Sequence, residues 1–210
     1  MTMLMKKINL DVSIIIVNYK TPKLLFNCIS SILRFTKDLS FEIIVVDNDS
    51  KDGSEELIKN NFSKVKYIQS CSNLGFGKAN NLGVKNSKGR NILFLNSDTL
   101  LINNAIKILS DYLDSKMNVG VCGGNLYDEN KNHIHSYSHI IPGIFSELDA
   151  LFSNYISKVI RKKINQFNIT KKPLSVAYIC GADMMIKSNL FKNLNGFDND
   201  FFLYFEETEL

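Results

Sequence analysis

Residues 12–17 read V-S-I-I-I-V, a run of β-branched apolar residues that lacks the polar alternation of a half-exposed strand. Such a run is typical of a strand that is covered on both faces of a sheet. The polar residues Asn18 and Tyr19 follow at once, and Thr21 and Pro22 predict a helix start with threonine as the cap. The stretch therefore predicts a buried parallel strand that leads through a polar turn into a helix.

The same unit recurs along the first hundred residues. Apolar strands are predicted at 41–46, 65–69 and 92–95, and helices are predicted from about residue 54 and near 77–86. Strands that alternate with helices favour an α/β fold with a mostly parallel, Rossmann-like central sheet and helices on both faces.

Length and composition are those of an ordinary globular protein. Of the 210 residues, 45% are hydrophobic and 22% are charged, and 25 basic against 21 acidic residues give a net charge of +4. This charge is too small to indicate nucleic-acid binding, so we expect no nucleic-acid partner. The four cysteines form no C-x-x-C pair, which favours a reducing cytoplasm over a disulfide framework or a zinc site. No apolar run approaches the length of a membrane span.

Polar residues gather where each predicted strand ends. Ligands of open α/β sheets bind beyond the carboxyl ends of the strands, so these clusters would line one crevice. One such cluster could be an ordinary turn, because Asn, Ser and Asp bond to their own backbone. Four together indicate a site for a polar, phosphorylated ligand. The clusters are Asn18 and Tyr19, then Asp47, Asn48 and Asp49, then Asn73 and Gly75, and last Asn96, Ser97 and Asp98.

The common phosphate-binding motifs do not match. G-F-G at 75–77 resembles part of a dinucleotide fingerprint, but Asn80 stands where the third glycine is needed and the motif follows the third strand instead of the first. The sequence contains no G-x-x-x-x-G-K-[ST] motif. A dinucleotide oxidoreductase is therefore an outside alternative, and a P-loop enzyme is excluded.

Six blocks occur in a fixed order along the chain. They are V-S-I-I-I-V-N-Y, I-I-V-V-D-N-D-S-K-D-G-S, N-L-G-F-G-K-A-N-N-L-G, I-L-F-L-N-S-D, G-A-D-M-M-I and G-F-D-N-D-F-F-L-Y-F-E-E-T-E-L. In this order they closely resemble the family 2 glycosyltransferases, inverting enzymes of the GT-A fold, and within them the rhamnosyltransferase-like branch. The resemblance covers the chain except roughly residues 127–175. It implies transfer of a sugar from a UDP- or dTDP-linked donor to a glycan or lipid-linked acceptor in cell-surface polysaccharide synthesis.

The resemblance also implies roles for the donor side. N-S-D stands where the family carries its D-x-D motif, so Asp98 would hold Mg²⁺ or Mn²⁺. A hard cation of this kind needs few protein ligands when it also binds a diphosphate. Asp47 would accept a hydrogen bond from the base imide, with Tyr19 packed near the base. For Lys78 two interpretations stay open, a contact with the phosphates or a position on an exposed helix face. The implied donor-binding set is Asn18, Tyr19, Asp47, Asn48, Asn73, Gly75, Lys78, Asn96, Ser97 and Asp98.

The last block implies the catalytic base. Relatives show F-E-D-x-D-L where this chain has F-E-E-T-E-L, so Glu207 matches the base by position and Glu206 is the reserve candidate. Three acids near a helix start could instead be a solvated, dipole-favoured cap. The acceptor side is assigned to Gly181, Ala182 and Asp183.

Two further features fall in the acceptor half. His133, His135 and His139 lie in H-x-H-x-x-x-H, which we interpret as a polar acceptor-side loop in preference to a zinc site. Residues 142–163 predict an amphipathic helix with a basic end. Core packing is the usual explanation for such a stripe, and the basic end favours a contact with a membrane surface. We therefore expect a cytoplasmic protein with a peripheral contact at the inner face of the membrane.

One domain is expected over residues 1–210, with a nucleotide-sugar-binding half at about 10–126 and an acceptor-side half at about 127–210. Because the chain stops abruptly at Leu210, we expect the natural protein to continue beyond it. Two rival functions stay open. A sugar nucleotidyltransferase would share the α/β fold and a metal-binding carboxylate. A catalytically silent module would bind the nucleotide sugar without turnover.

Overall fold

The computed structural model describes residues 10–139, 166–170 and 172–203. Strands and helices alternate through the first part of this chain, and short strands and one helix follow. The strands are β1 (Leu10–Asn18), β2 (Phe41–Asp47), β3 (Lys66–Gln69), β4 (Gly89–Asn96), β5 (Val121–Gly123), β6 (Tyr137–Ser138), β7 (Tyr178–Ile179) and β8 (Asp183–Lys187). The helices are α1 (Pro22–Phe35), α2 (Ser54–Asn61), α3 (Phe76–Lys85), α4 (Ala105–Ser115) and α5 (Ser188–Asn193).

Six strands form one sheet in the order β3-β2-β1-β4-β8-β5. The first four are mutually parallel, with Ile15 of β1 opposite Ile44 of β2 and Phe94 of β4. β8 runs antiparallel to both β4 and β5. The predicted α/β fold with a mostly parallel sheet is confirmed. Because the four parallel strands point the same way, their polar ends meet at one edge of the sheet.

Both faces of the sheet are covered, which explains why the strand sequences do not alternate. On one face Ile14 and Ile16 of β1 share a core with α1 and α4. On the other face Ile15 packs with α3 and α5, and Phe94 lies in the same cluster. All four of these side chains are essentially inaccessible to solvent.

The predicted boundaries agree with the structure to within a few residues where the apolar pattern is long. α2 begins at Ser54, as expected, and α3 covers 76–85 against the expected 77–86. The cap of α1 is a correction. Pro22 does occupy the first turn, but the side chain of Thr21 makes no capping hydrogen bond. Its hydroxyl bonds to residues from two strand ends instead, as described below.

The second half of the described chain adds a small two-stranded sheet, β6 with β7, beside the edge strand β5. Among the described residues, no helix is long and apolar enough to cross a membrane. The predicted amphipathic helix at 142–163 lies outside the described residues, as do Glu206 and Glu207.

Candidate functional site

A buried carboxylate, Asp47, stands at the carboxyl end of β2 and is 1% exposed. Its Oδ2 accepts a hydrogen bond from Asn18 Nδ2 at 2.7 Å, and its Oδ1 accepts from the backbone N of Ser50 at 2.8 Å and from Gln69 Nε2 at 2.9 Å. Burial alone would raise the pKa of Asp47, but these hydrogen bonds outweigh it and hold the pKa below its usual value. The ionised carboxylate therefore joins the ends of β1, β2 and β3.

Asn18 extends this network to the fourth strand. Its Nδ2 also lies 3.1 Å from Ser54 Oγ, and its Oδ1 accepts from Thr21 Oγ1 at 2.8 Å. The Thr21 hydroxyl in turn lies 3.0 Å from Ser97 Oγ, just past the end of β4. The hydroxyl that the sequence assigned to a helix cap thus connects the first strand to the N-S-D motif.

A second group of contacts fixes the loop after β3. Asn48 is 3% exposed. It donates from Nδ2 to Asn73 Oδ1 at 2.8 Å and accepts from the backbone N of Leu74 at 2.8 Å. Asn73 Oδ1 also accepts from the backbone N of Gly75 at 3.0 Å. Side chains from two of the predicted clusters therefore hold each other, and the loop cannot move independently of β2.

Left-handed backbone is concentrated in the same loops. Lys20, Asp49 and Lys51 have φ of 58°, 65° and 52°, although they are not glycines. Gly53 and Gly75 have φ of 80° and 82° in the same region. Such conformations cost free energy and persist where the surrounding contacts impose them, which is typical of ligand-binding loops.

The N-S-D turn presents Asp98 to solvent. The backbone N of Asn96 donates to the carbonyl of Ala182 at 3.1 Å, and the backbone N of Thr99 donates to the carbonyl of Asn96 at 3.1 Å. Asp98 itself is exposed, and its carboxylate makes no hydrogen bond or ion pair with the part of the chain that the structure describes. The described residues therefore include two kinds of strand-end carboxylate, Asp47 with three protein hydrogen-bond donors and Asp98 with none.

The free carboxylate fits a divalent cation that shares its ligands with a diphosphate. Mg²⁺ and Mn²⁺ take oxygen ligands and keep places for water and phosphate. Within residues 10–139, 166–170 and 172–203, no three His, Cys, Asp or Glu side chains cluster closely enough to hold a metal by themselves. Asp98 would hold such an ion together with oxygen ligands from a donor or from water.

Two other predicted donor residues face solvent. The ring of Tyr19 is 44% exposed, and the ammonium of Lys20 lies 5.0 Å from its centre. Lys78 is exposed on the first turn of α3. The structure places both beside the joined strand ends without giving either a role in the hydrogen-bond network.

Asp183, at the start of β8, is a second buried acid. It is 9% exposed, its Oδ2 accepts from the backbone N of Gly124 at 2.7 Å, and its Oδ1 has no hydrogen-bond partner among the described residues. Burial raises the pKa of Asp183 to about 7, although the Gly124 hydrogen bond opposes the rise. A Cβ on Gly124 would lie 2.8 Å from Oδ2, so the close approach needs glycine at that position.

A cavity of about 810 Å³ lies away from the joined strand ends, between α4, β5 and the β6–β7 pair. Its lining includes Tyr112, Asn125, Ser136 and Tyr178. None of the ten predicted donor residues contributes to the part of its wall that the structure describes. Its wall combines residues of both predicted halves of the chain, from α4 and 118–125 in the first and from residue 136 onward in the second.

The three histidines each contact a different aromatic ring. His133 stacks on Phe167 with ring centres 3.7 Å apart and planes 4° apart. His135 meets Tyr178 edge-on at 6.1 Å, and His139 meets Tyr137 at 5.2 Å. The histidines are exposed and pack against aromatic residues of the predicted acceptor-side half, of which Tyr137 and Phe167 are buried.

Sequence reasoning missed several members of the network. Thr21, Ser50, Ser54 and Gln69 all contact Asn18 or Asp47, yet none was a candidate site residue. The dense polar run S-K-D-G-S at 50–54 was a usable signal for the two serines. The sequence contained no such signal for Gln69, because it is the last residue of a strand and reaches Asp47 only through sheet pairing.

Comparison with protein families gives one match over most of the chain. The model of glycosyl transferase family 2 matches residues 13–194. An uncharacterised glycosyltransferase of Rickettsia typhi is 31% identical over 191 residues, which cover 89% of this chain and 53% of that protein. The poly(ribitol-phosphate) β-N-acetylglucosaminyltransferase TarP of Staphylococcus aureus is 35% identical over 105 residues, 48% of this chain and 32% of TarP. The chain spans about half the length of the first of these relatives.

Solved structures share the fold at low identity. TarS of S. aureus in complex with UDP-GlcNAc superposes with a TM-score of 0.62 at 20% identity, over 90% of this chain and 48% of TarS. The mannosyltransferase PcManGT of Pyrobaculum calidifontis, in complex with GDP-Man and Mn²⁺, superposes with a TM-score of 0.60 at 16% identity, over 91% of this chain and 48% of PcManGT. At these identities the likeness shows the GT-A fold.

The buried acid Asp183 gives a prediction about pH. Its pKa is about 7 in the folded protein and near 3.8 in the unfolded chain, so between these values only the folded protein keeps the proton. The free energy of unfolding should therefore fall as pH rises through this window. Asp183→Asn should remove the dependence, with little effect at pH 4.5 and a gain on the order of 1–3 kcal/mol at pH 8, measured by urea unfolding.

Asp200→Asn, which changes an exposed acid in the same half of the chain, is the matched control and should shift stability equally at both pH values. If Asp183→Asn also shifts stability equally at pH 4.5 and pH 8, the buried carboxyl does not titrate in this window.

Proposed function

Because the chain belongs to glycosyl transferase family 2, we propose that it is a metal-dependent, inverting glycosyltransferase of the rhamnosyltransferase-like branch. The donor is a UDP- or dTDP-linked sugar. The acceptor is a glycan or a lipid-linked glycan in cell-surface polysaccharide synthesis. In this proposal the donor occupies the crevice at the carboxyl ends of β1 to β4, and the acceptor approaches from the half that contains β6 to β8.

The observation that carries the proposal is the contrast between the carboxylates of Asp47 and Asp98. Asp47 is buried and accepts three hydrogen bonds from β1, β3 and the loop after β2, whereas Asp98 is exposed after β4 and its carboxylate has no hydrogen bond or ion pair with the described residues. A carboxylate held on a rigid turn without a protein partner suits a cation that a diphosphate completes. The Mn²⁺ in the PcManGT complex supports the same assignment.

The predicted donor-binding residues fall into two groups, those with exposed side chains and those that shape the crevice. Tyr19, Lys78 and Asp98 have exposed side chains that can contact the base, the phosphates and the cation. The other members shape the crevice through contacts with one another or, for Asn96 and Ser97, with Ala182 and Thr21; they are Asn18, Asp47, Asn48, Asn73, Gly75, Asn96 and Ser97. The direct hydrogen bond from the nucleobase imide to Asp47 stays a prediction. The carboxylate of Asp47 would have to accept it with the lone pairs that its three protein donors leave unused.

Transfer requires three events at the anomeric carbon. The acceptor hydroxyl oxygen attacks from the face opposite the diphosphate, the bond from the anomeric carbon to the phosphate oxygen breaks, and the hydroxyl proton passes to a carboxylate base. We assign the base to Glu207, with Glu206 in reserve. A cation bound at Asp98 would neutralise negative charge on the departing diphosphate.

The acceptor side rests on a smaller set of observations. The GAD residues Gly181, Ala182 and Asp183 join β7 to β8, and the carbonyl of Ala182 contacts the N-S-D turn through Asn96. This contact brings the proposed acceptor residues next to the proposed metal residue. The polymeric substrate in the name of TarP favours an extended acceptor, and a lipid-linked one would explain a peripheral membrane contact by 142–163 on the cytoplasmic side.

The donor assignment is tested by measuring Tm with UDP-glucose, UDP-GlcNAc, dTDP-rhamnose and GDP-mannose, with and without Mn²⁺, in the full-length protein. A UDP- or dTDP-linked sugar with Mn²⁺ should raise Tm, because a ligand that binds the folded state stabilises it by mass action. Asp98→Asn should abolish the Mn²⁺-dependent part of the shift and leave the Tm of the free protein within about 2 °C, as expected for an exposed residue.

Asp111→Asn changes another exposed acid, on α4, and should keep the full shift. Full metal-stimulated binding by Asp98→Asn would refute the metal assignment. Release of pyrophosphate from a nucleoside triphosphate and a sugar phosphate would identify a nucleotidyltransferase, and binding without any transfer would identify a silent module.

The assignment of the base predicts a split between binding and transfer. Glu207→Gln should retain donor affinity and lower the transfer rate by roughly a hundredfold or more, the usual size of general-base catalysis. Glu206→Gln should lower the transfer rate less than Glu207→Gln does if Glu206 only orients the segment. The comparison is made in the full-length protein with the donor that the Tm panel selects. The reverse ranking moves the base to Glu206, and slight, equal losses would favour a helix cap.

The membrane assignment predicts binding that depends on salt. Anionic phosphatidylglycerol liposomes should retain the full-length protein at low ionic strength and release it at high ionic strength, because salt screens exposed charges. Changing Arg161, Lys162 and Lys163 together to Gln should remove the retention. The same triple change at Lys59, Lys64 and Lys66, which are exposed elsewhere, should not. Equal retention of both triple variants would contradict the assignment.

A further inference from the structure

The segment that follows α5, residues 196–203, is attached to α3 by a side chain that belongs to neither predicted site. Asn81 donates from Nδ2 to the carbonyl of Phe197 at 2.8 Å, and its Oδ1 accepts from the backbone N of Phe197 at 3.0 Å. The pair satisfies both backbone groups of Phe197 at once, as a neighbouring strand would. One amide side chain therefore sets the register of this segment against the helix.

The attachment has little room to shift. Gly196 has φ of 79°, and a Cβ there would lie 2.6 Å from Asn81 Oδ1. The ring of Phe197 is 2% exposed and packs against Phe94 and Phe191, with ring centres 4.8 and 5.2 Å away. The backbone contact and the buried ring hold the same residue from two directions.

The segment meets the start of the same helix a second time. The backbone N of Phe76, an N-terminal helix donor without a partner in its own helix, donates to the carbonyl of Phe202 at 2.9 Å. A Cβ on Gly75 would lie 2.4 Å from that carbonyl oxygen, so glycine is required for this approach. Residues 197 and 202 thus both contact α3, about one and a half helical turns apart.

The start of α3 is also the end of the donor loop. Gly75 is bonded to Asn73, and Asn73 is bonded to Asn48 beside the carboxyl end of β2. A continuous set of hydrogen bonds therefore runs from the strand ends, through the loop at 73–75, to Phe202. Glu206 and Glu207 follow four and five residues after Phe202 in the sequence.

We infer that Asn81 is a positioning residue for the transfer step, which keeps segment 196–203 aligned with the donor loop. This rests on the proposed function, because the segment leads into the proposed base. Asn81 lies on the helix away from the strand ends and contacts Phe197 and Asn199, so it acts through the segment and not through the donor. Its loss should affect the placement of the acids more than the binding of the nucleotide.

The test compares Asn81→Ala with Asn86→Ala in the full-length protein. Asn86 is the matched control, because its Nδ2 bonds to the carbonyl of Leu82 at 3.0 Å at the end of the same helix and it does not contact the segment. Gly196→Ala is a second test variant, which disrupts the same contact from the other side. The measurements are hydrogen exchange of the amides of 196–203, the Kd of UDP with Mn²⁺, and kcat for transfer.

Asn81→Ala should speed exchange in 196–203 by about tenfold, the effect of losing one or two hydrogen bonds. It should lower kcat by about tenfold or more while the Kd of UDP changes by less than about threefold, which separates placement from binding. Gly196→Ala should act in the same direction, and Asn86→Ala should leave all three quantities near the wild-type values.

The inference is overturned if exchange in 196–203 is the same in Asn81→Ala and Asn86→Ala, or if exchange rises while kcat is unchanged. A loss of UDP binding equal to the loss of kcat would also overturn it, because Asn81 would then act on the donor. If the wild-type protein binds UDP without transfer, the proposed function fails, and the exchange measurement still decides whether Asn81 holds the segment.

Discussion

The hydrogen bond between Asn18 and Asp47 is the contact on which the arrangement of the strand ends depends. Burying a carboxylate is costly unless hydrogen bonds replace its hydration, and Asp47 keeps its charge because donors from β1, β3 and the loop after β2 converge on it. Removal of one donor would leave a buried charge with fewer partners. The strand ends are therefore held at a common position by the need to solvate one acid.

The acids near the strand ends differ in how their carboxylates are solvated. Asp47 is solvated by the protein itself, whereas Asp98 stands on a turn that Thr21 and Ala182 fix from either side without using its carboxylate. Asp183 shows the third possibility, a buried carboxyl with one donor and a pKa near 7. For Asp47 and Asp183 the surroundings set the direction of the pKa shift, which is downward at Asp47 and upward at Asp183.

The sequence predicts the parts of this structure that local pattern determines. The strands and helices of the first hundred residues were predictable because β-branched runs and helical spacing act within one element. The strands β5, β6 and β7 have two or three residues each and contain no period to detect. The polar clusters and Asp98 were predictable from their place after buried strands. The hydrogen bonds to Asp47 were not predictable, because Asn18 and Gln69 reach it only through the pairing of β1 and β3 with β2.

The most direct test of the account is a crystal structure of the full-length protein with UDP and Mn²⁺, with anomalous data collected at the manganese edge. We expect an anomalous peak about 2 Å from a carboxylate oxygen of Asp98, with the diphosphate on the same ion. We expect the uracil ring of UDP beside the loops that Asn18, Asp47 and Asn48 hold. UDP and manganese in the cavity between α4 and β5, or an ion without contact to Asp98, would contradict the proposed donor site.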